Sequence, residues 1–233
     1  MKNKKGSHVE IVLSFVLFVG SIFFVYFLVQ PSISKNDKTL EIDSLKEKIK
    51  DFLKEDLTLA SVKIKITPPT CAKLNNFFGS GEINERLIAV GKSGNLNAMK
   101  NGNNLVIETG GNNFINIYSS KEFNAKNGNI AGCQNLNKDQ DYSFGLIKTE
   151  EHFFESRLLN LSEKYSSNYS GLKSELKIPD SVDFGFGFFY SDGTSFYAGN
   201  NSYDINIYSE EIPINYINKN KGFEIGKLTI ITW

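Results

Sequence analysis

The sequence predicts an α+β protein: a single amino-terminal transmembrane helix, then an extracytoplasmic domain of antiparallel strands with an inserted helical segment. Three observations carry this expectation. Residues 11–29 form an uncharged apolar run. From Ser61 onward most of the chain alternates apolar and polar residues, the period of a half-buried strand, and Asn/Gly clusters suited to tight turns separate these stretches. Residues 149–176 return to helical spacing.

Composition narrows the function classes. The 233 residues carry 26 Lys+Arg and 26 Asp+Glu, a net charge of zero, which argues against nucleic acid as a partner. Two cysteines are too few for a disulfide-dense scaffold, and two histidines are too few for most imidazole-based metal or relay chemistry. Asparagine is as abundant as all acidic residues together, with 26 copies.

The elements follow in chain order. Residues 1–10 form a basic leader with Lys2, Lys4 and Lys5. The 19-residue run at 11–29 would rise roughly 28 Å as a helix, close to the thickness of a bilayer core. The lysines should stay cytoplasmic and the remainder should lie outside. A cleaved secretory signal is a competing reading, but it needs a shorter apolar core and a small-residue cleavage site that VQPSIS does not offer. Gln30 and Pro31 are expected to end the helix, and residues 30–39 read as a linker. The domain then occupies 40–233.

Residues 40–57 place Leu45, Ile49, Phe52 and Leu53 at helical spacing. Their mixed charges favour a helix packed on its own domain over one lying on lipid. SVKIKI, RLIAVGKSG, NLVIET and NFINIYSS read as short strands. Within 149–176, Phe153, Leu158, Leu161 and Tyr165 are expected to face inward, with a break at Gly171. Asp192-Gly193 between two aromatic runs signals a hairpin, and YDINIYSEEIPINYI and FEIGKLTIITW supply further strands.

Lys4-Lys5-Gly6-Ser7-His8-Val9-Glu10 followed by the apolar run resembles the class III signal peptide of type IV pilin-like proteins, particularly archaeal ones. The resemblance covers the first 25 or so residues. It implies cleavage by a prepilin-type peptidase, with Lys5 and Gly6 as the recognition pair and Ser7 as the new first residue. It further implies that the helix stays attached and packs in a filament core with other pilin-like subunits. Glu10 would pair with a neighbouring amine, since a carboxylate entering an apolar layer needs a cationic partner. The alternative from another class is a non-polymerising single-pass anchor whose external domain binds a ligand or partner protein.

Chemistry-bearing signals are few. Cys71 and Cys133 are candidates for a disulfide in an oxidising compartment, with independent thiols as the alternative. Asn160, Asn168 and Asn200 each open an Asn-x-Ser sequon, a glycosylation signal on an external surface. Gly185-Phe186-Gly187 lacks the third glycine of a dinucleotide fingerprint. His152 and Glu155 could share a helix face but make a poor metal site alone. Asp180 and Asp183 read as turn or capping residues. No nucleophile elbow, phosphate loop or zinc-protease motif is present, so the sequence points to no catalytic residue, metal site or cofactor.

Overall fold

The computed structural model describes residues 6–79, 81, 83–199, 207–220 and 222–233. It opens with one helix, α1 (Gly6–Leu53), of 48 residues. The expected break after Pro31 does not occur: the backbone stays helical through residues 30–39. Proline in a helix interior removes one hydrogen bond and costs about 3 kcal/mol. Nothing after it enforces a stop, because residues 32–53 hold no glycine and no second proline. Helical stretches on both sides propagate into the segment, and propagation costs far less than nucleation.

The two ends of α1 differ completely. Residues 10–27 have a mean hydropathy of 2.3 and none of them is buried. This segment is long and apolar enough to cross a membrane or to act as a signal sequence. At the other end, Ile42, Leu45, Ile49 and Leu53 are buried at spacings of three and four residues, one stripe of a helix.

Strand β1 (Lys54–Ile64) follows α1 without an intervening residue. The expected helix through residue 57 therefore ends early. Leu57 continues the helical spacing from Leu53, but its side chain is buried in a separate cluster with Ile88, Phe123, Phe154 and Ile217. Next come β2 (Cys71–Leu74), β3 (Leu87–Gly91), β4 (Gly94–Leu96), β5 (Ala98–Asn101), β6 (Asn104–Glu108), β7 (Phe114–Ser119), β8 (Gln134–Leu136) and β9 (Tyr142–Phe154). Helices α2 (Glu155–Ser167) and α3 (Tyr169–Glu175) precede β10 (Phe184–Phe189), β11 (Ser195–Ala198), β12 (Tyr208–Ile217) and β13 (Phe223–Thr232).

Two expectations within 149–176 are corrected. Residues 149–154 are strand, held by pairs such as Thr149 with Thr58 and Phe153 with Lys54. The break between the helices falls at Asn168 rather than Gly171: the Asn168 side chain caps α3 by accepting the Gly171 N–H at 3.0 Å. The Asp192-Gly193 hairpin does form, with Gly193 at φ 84° and Tyr190 N–H donating to the Thr194 carbonyl at 2.8 Å.

The strands make a nine-stranded sheet, ordered β11-β10-β13-β12-β9-β1-β7-β3-β4, and a four-stranded sheet, ordered β5-β6-β2-β8. Pairing is antiparallel except at β12–β9 and β2–β8. The β12–β9 seam consists of two residue pairs, Tyr216 with Phe153 and Ile217 with Phe154. On the β10–β13 side of this seam, α2, α3 and the end of α1 enclose Leu161, Phe184, Phe186, Phe188 and Leu228. On the β1–β7 side, the small sheet encloses Val62, Ile64, Leu74, Leu105, Ile117 and Tyr142. One large sheet thus carries a helix-covered lobe and a sandwich lobe.

Candidate functional site

The sequence-derived candidates fall in three places. Gly6 and Ser7 begin α1, while Lys5 lies outside the described residues. Glu10 is exposed at the start of the apolar segment. Cys71 and Cys133 form a disulfide with Cα atoms 4.6 Å apart. It closes the start of β2 against the residue before β8, where Ala72 and Gln134 already pair. Asn160 and Asn168 are exposed on the helix layer, and Asn200 lies outside the described residues.

The weaker chemical signals resolve into structural roles. His152 is on β9 opposite Glu55, and Glu155 begins α2, so they do not share a helix face. Asp183 accepts from Tyr169 Oη at 3.1 Å and from the buried Lys173 Nζ at 3.2 Å. The Lys173 ammonium also donates to the Asp180 carbonyl, which ties the loop before β10 to α3. Among the described residues no group of His, Cys, Asp and Glu is arranged to hold a metal ion.

Strand directions place two further features at opposite ends of the domain. Along α1, Leu45 lies against Val182, just before β10, and Lys46 Nζ bonds Glu210 near the start of β12. The Phe52 carbonyl accepts from Arg157, beside the seam where β9 and β12 end. Helix α1 therefore enters beside the starts of β10 and β12 and leaves beside the seam. Strand β1 is antiparallel to β9, which is parallel to β12, so β1 runs back toward the entry end.

At that entry end β1, β3 and β7 surround an open cavity of about 710 Å³ lined by Lys63, Lys65 and Lys92, with no carboxylate in its wall. Asn112 builds its floor: its Oδ1 accepts the Lys92 N–H at 3.0 Å, and its Nδ2 donates to the Thr109 carbonyl at 2.6 Å. Gly91 leaves room for this side chain, since a Cβ there would sit 2.7 Å from Asn112 Nδ2 and displace it. Lys63 Nζ lies 5.6 Å from the centroid of Phe114, which is 66% exposed. Lys65 Nζ donates to the Asp139 carbonyl at 2.5 Å. In the adjoining loop, the Asp141 carboxylate is turned to the Asn137 N–H.

At the far end the β10–β11 hairpin, the β12–β13 turn and the start of α2 form a cleft of about 350 Å³. Glu155, Asp192 and Glu224 line it together with Tyr190, Tyr216 and Lys219. The Thr194 hydroxyl, then its N–H, hold Asp192 below the usual carboxylate range. Hydroxyls of Ser191 and Tyr216 do the same for Glu224. Glu155 accepts the Lys219 N–H at 2.6 Å, and burial pushes the neighbouring Tyr190 phenol up to about 12. Ionised carboxylates held by hydroxyls and amides give this end its acidic character.

Neither end was singled out from the sequence. The three lysines are separated by up to 29 positions, and the three acids by up to 69. Only strand pairing brings them together. No family model matches the chain, and no match was found among curated proteins or solved structures.

Proposed function

We propose that this chain is a pilin-like structural subunit of a type IV filament or related surface assembly, anchored and assembled through its amino-terminal helix. The carrying observation is the continuity of α1. An exposed apolar segment at 10–27, charged only at Glu10, extends without a helix break into a segment whose Leu45, Ile49 and Leu53 are core residues of the domain. Helices that bundle through such a segment impose their spacing directly on the domains they carry. A membrane anchor that only tethers has no need of that rigidity. In lipid, an apolar helix gains by packing against other helices, and Glu10 beside a freed Ser7 amine would add a charge pair between subunits.

Under this reading Lys5 and Gly6 are read by a prepilin-type peptidase on the cytoplasmic side, and the domain lies outside the cell membrane. The disulfide fits an oxidising exterior. The second reading, a static anchor whose domain binds a partner, draws on the apolar side chains left exposed on β10 and β13, Phe189, Phe223 and Ile225.

The test is the intact mass and amino terminus of the protein taken from its native membrane. A start at Ser7 with the helix retained is the expected result. A start at Met1 overturns processing and leaves the static anchor. A start beyond Gln30 overturns membrane retention altogether.

A further inference from the structure

We propose that the basic cavity at the entry end of one subunit docks the acidic cleft at the far end of a second copy of this chain. The inference rests on the filament reading and adds the contact that would order the external domains. Charge complementarity carries it. The cavity presents Lys63, Lys65 and Lys92 without a carboxylate in its wall. The cleft presents Glu155, Asp192 and Glu224 against the single cation Lys219. The cavity wall and the cleft wall thus carry opposite net charge at opposite ends of the large sheet.

Geometry decides what kind of contact this is. The cavity belongs to the sandwich lobe at one end, and the cleft to the helix-covered lobe at the other. A patch that meets a different patch is heterologous, and repetition without closure builds a helical filament rather than a dimer. The cleft is bordered by residues of two turns, Asp192 and Thr194 on one and Asn218 to Asn220 on the other. Lys63 and Lys92 have no ion pair within the subunit among the described residues, so both ammonium groups are available to a neighbour.

A lipid headgroup is the competing anion, and distance argues against it. From Val29, the last residue of the apolar run, to Lys46, level with the entry end, α1 climbs 17 residues. That is roughly 26 Å at 1.5 Å per residue. The headgroup layer adds only about 5–8 Å beyond the hydrocarbon. The cavity therefore looks into the space beneath the domain, which in an assembly is filled by another domain. Charged rims of this kind set register and partner choice, while apolar helix packing supplies the affinity.

The experiment uses the full-length chain in its native membrane, with Asn113→Cys and Asn220→Cys in one molecule. Both sites are exposed, and the native cysteines are already paired. The expected result is a ladder of dimers, trimers and longer species on oxidation, with none from either single variant. Lys63→Glu with Lys92→Glu, read in the same assay through Asn113→Cys, should cut the ladder roughly tenfold or more, and Asp192→Lys in the same chain should restore it. Dimers from a single variant would mean an isologous contact and overturn the proposal. Filaments that form without cross-linking would overturn it while leaving the filament reading intact. No ladder and an intact Met1 would overturn both. Loss of binding to a sulfated polysaccharide in the Lys→Glu variant, with the ladder unchanged, would assign the cavity to a glycan instead.

Discussion

The two lobes share one sheet but are held together differently. Over β10–β13 the cover is three helices, and the core is built on Phe184, Phe186 and Phe188 with edge-on contacts such as Phe188 to Tyr216 at 5.2 Å. Over β1, β3 and β7 the cover is a sheet whose strands run three to five residues. Strands that short each bury little, so this sheet depends on the large one for its packing. The Cys71–Cys133 bond compensates by closing a span of 62 residues that contains β3 to β7. The helix-covered lobe is also the one continuous with α1 core residues, so it carries any load from assembly. The sandwich lobe is free to be rich in Asn/Gly turns.

This contrast predicts that the disulfide matters to one lobe only. A crosslink over 62 residues is worth about 4 kcal/mol on the chain-entropy argument. Cys71→Ser with Cys133→Ser should therefore unfold the sandwich lobe first. Trp233, whose N–H donates to the Asp183 carbonyl in the helix-covered lobe, serves as a local probe. The far-UV signal should then fall at lower denaturant than Trp233 fluorescence. Coincident transitions would show that the two-pair seam couples the lobes fully.

Alkali tests the sandwich core by another route. Tyr142 is fully buried, its hydroxyl donates to the Asn75 carbonyl at 2.7 Å, and burial raises its pKa to about 12. The folded state keeps the proton that the unfolded state loses near pH 10. Stability is therefore whole below pH 10 and falls as the pH rises toward 12, by up to about 3 kcal/mol. Tyr142→Phe should abolish that part of the loss, measured by denaturation at pH 9 and pH 11. An unchanged pH dependence would remove Tyr142 as the cause.

The seam itself is tested by Arg157. Its guanidinium bonds the Phe52 carbonyl at 2.9 Å, Glu122 at 3.2 Å and Glu55, and so joins α1, β1 and α2 beside Phe154. Arg157→Met keeps the stem and removes these bonds, at a cost of about 2 kcal/mol. The expected signature is a wider separation between the two transitions, not an equal drop in both.

How much of this was legible in the sequence follows from what each signal depends on. Local patterns read well: Val62 and Ile64 by alternation, the Asp192-Gly193 turn, and the stripe Leu45, Ile49 and Leu53. Signals overridden by partners did not. Residues 149–154 have helical spacing, but five of the ten pairings between β1 and β9 fall within them and hold them extended. Pro31 reads as a stop, yet the helix on either side outweighs its one lost bond. The charged cavity and cleft were invisible, because each is assembled by strand order from residues far apart in sequence.

The smallest effect separates two roles of one residue. Asn168 caps α3 through Oδ1 and also opens a sequon, whose modification would fall on Nδ2. The two roles use different atoms and can coexist. Asn168→Ala should lower the Trp233 transition by about 1 kcal/mol, the usual cost of a lost cap. Asn168→Asp keeps an acceptor for the Gly171 N–H and should leave stability within a few tenths of a kcal/mol. Both variants remove the sequon. A drop in intact mass shared by both would identify a glycan, while a stability loss confined to alanine identifies the cap. Because α3 is seven residues and anchors Lys173 beneath β10, an equal loss in both variants would mean that the attached group, not the cap, steadies the helix-covered lobe.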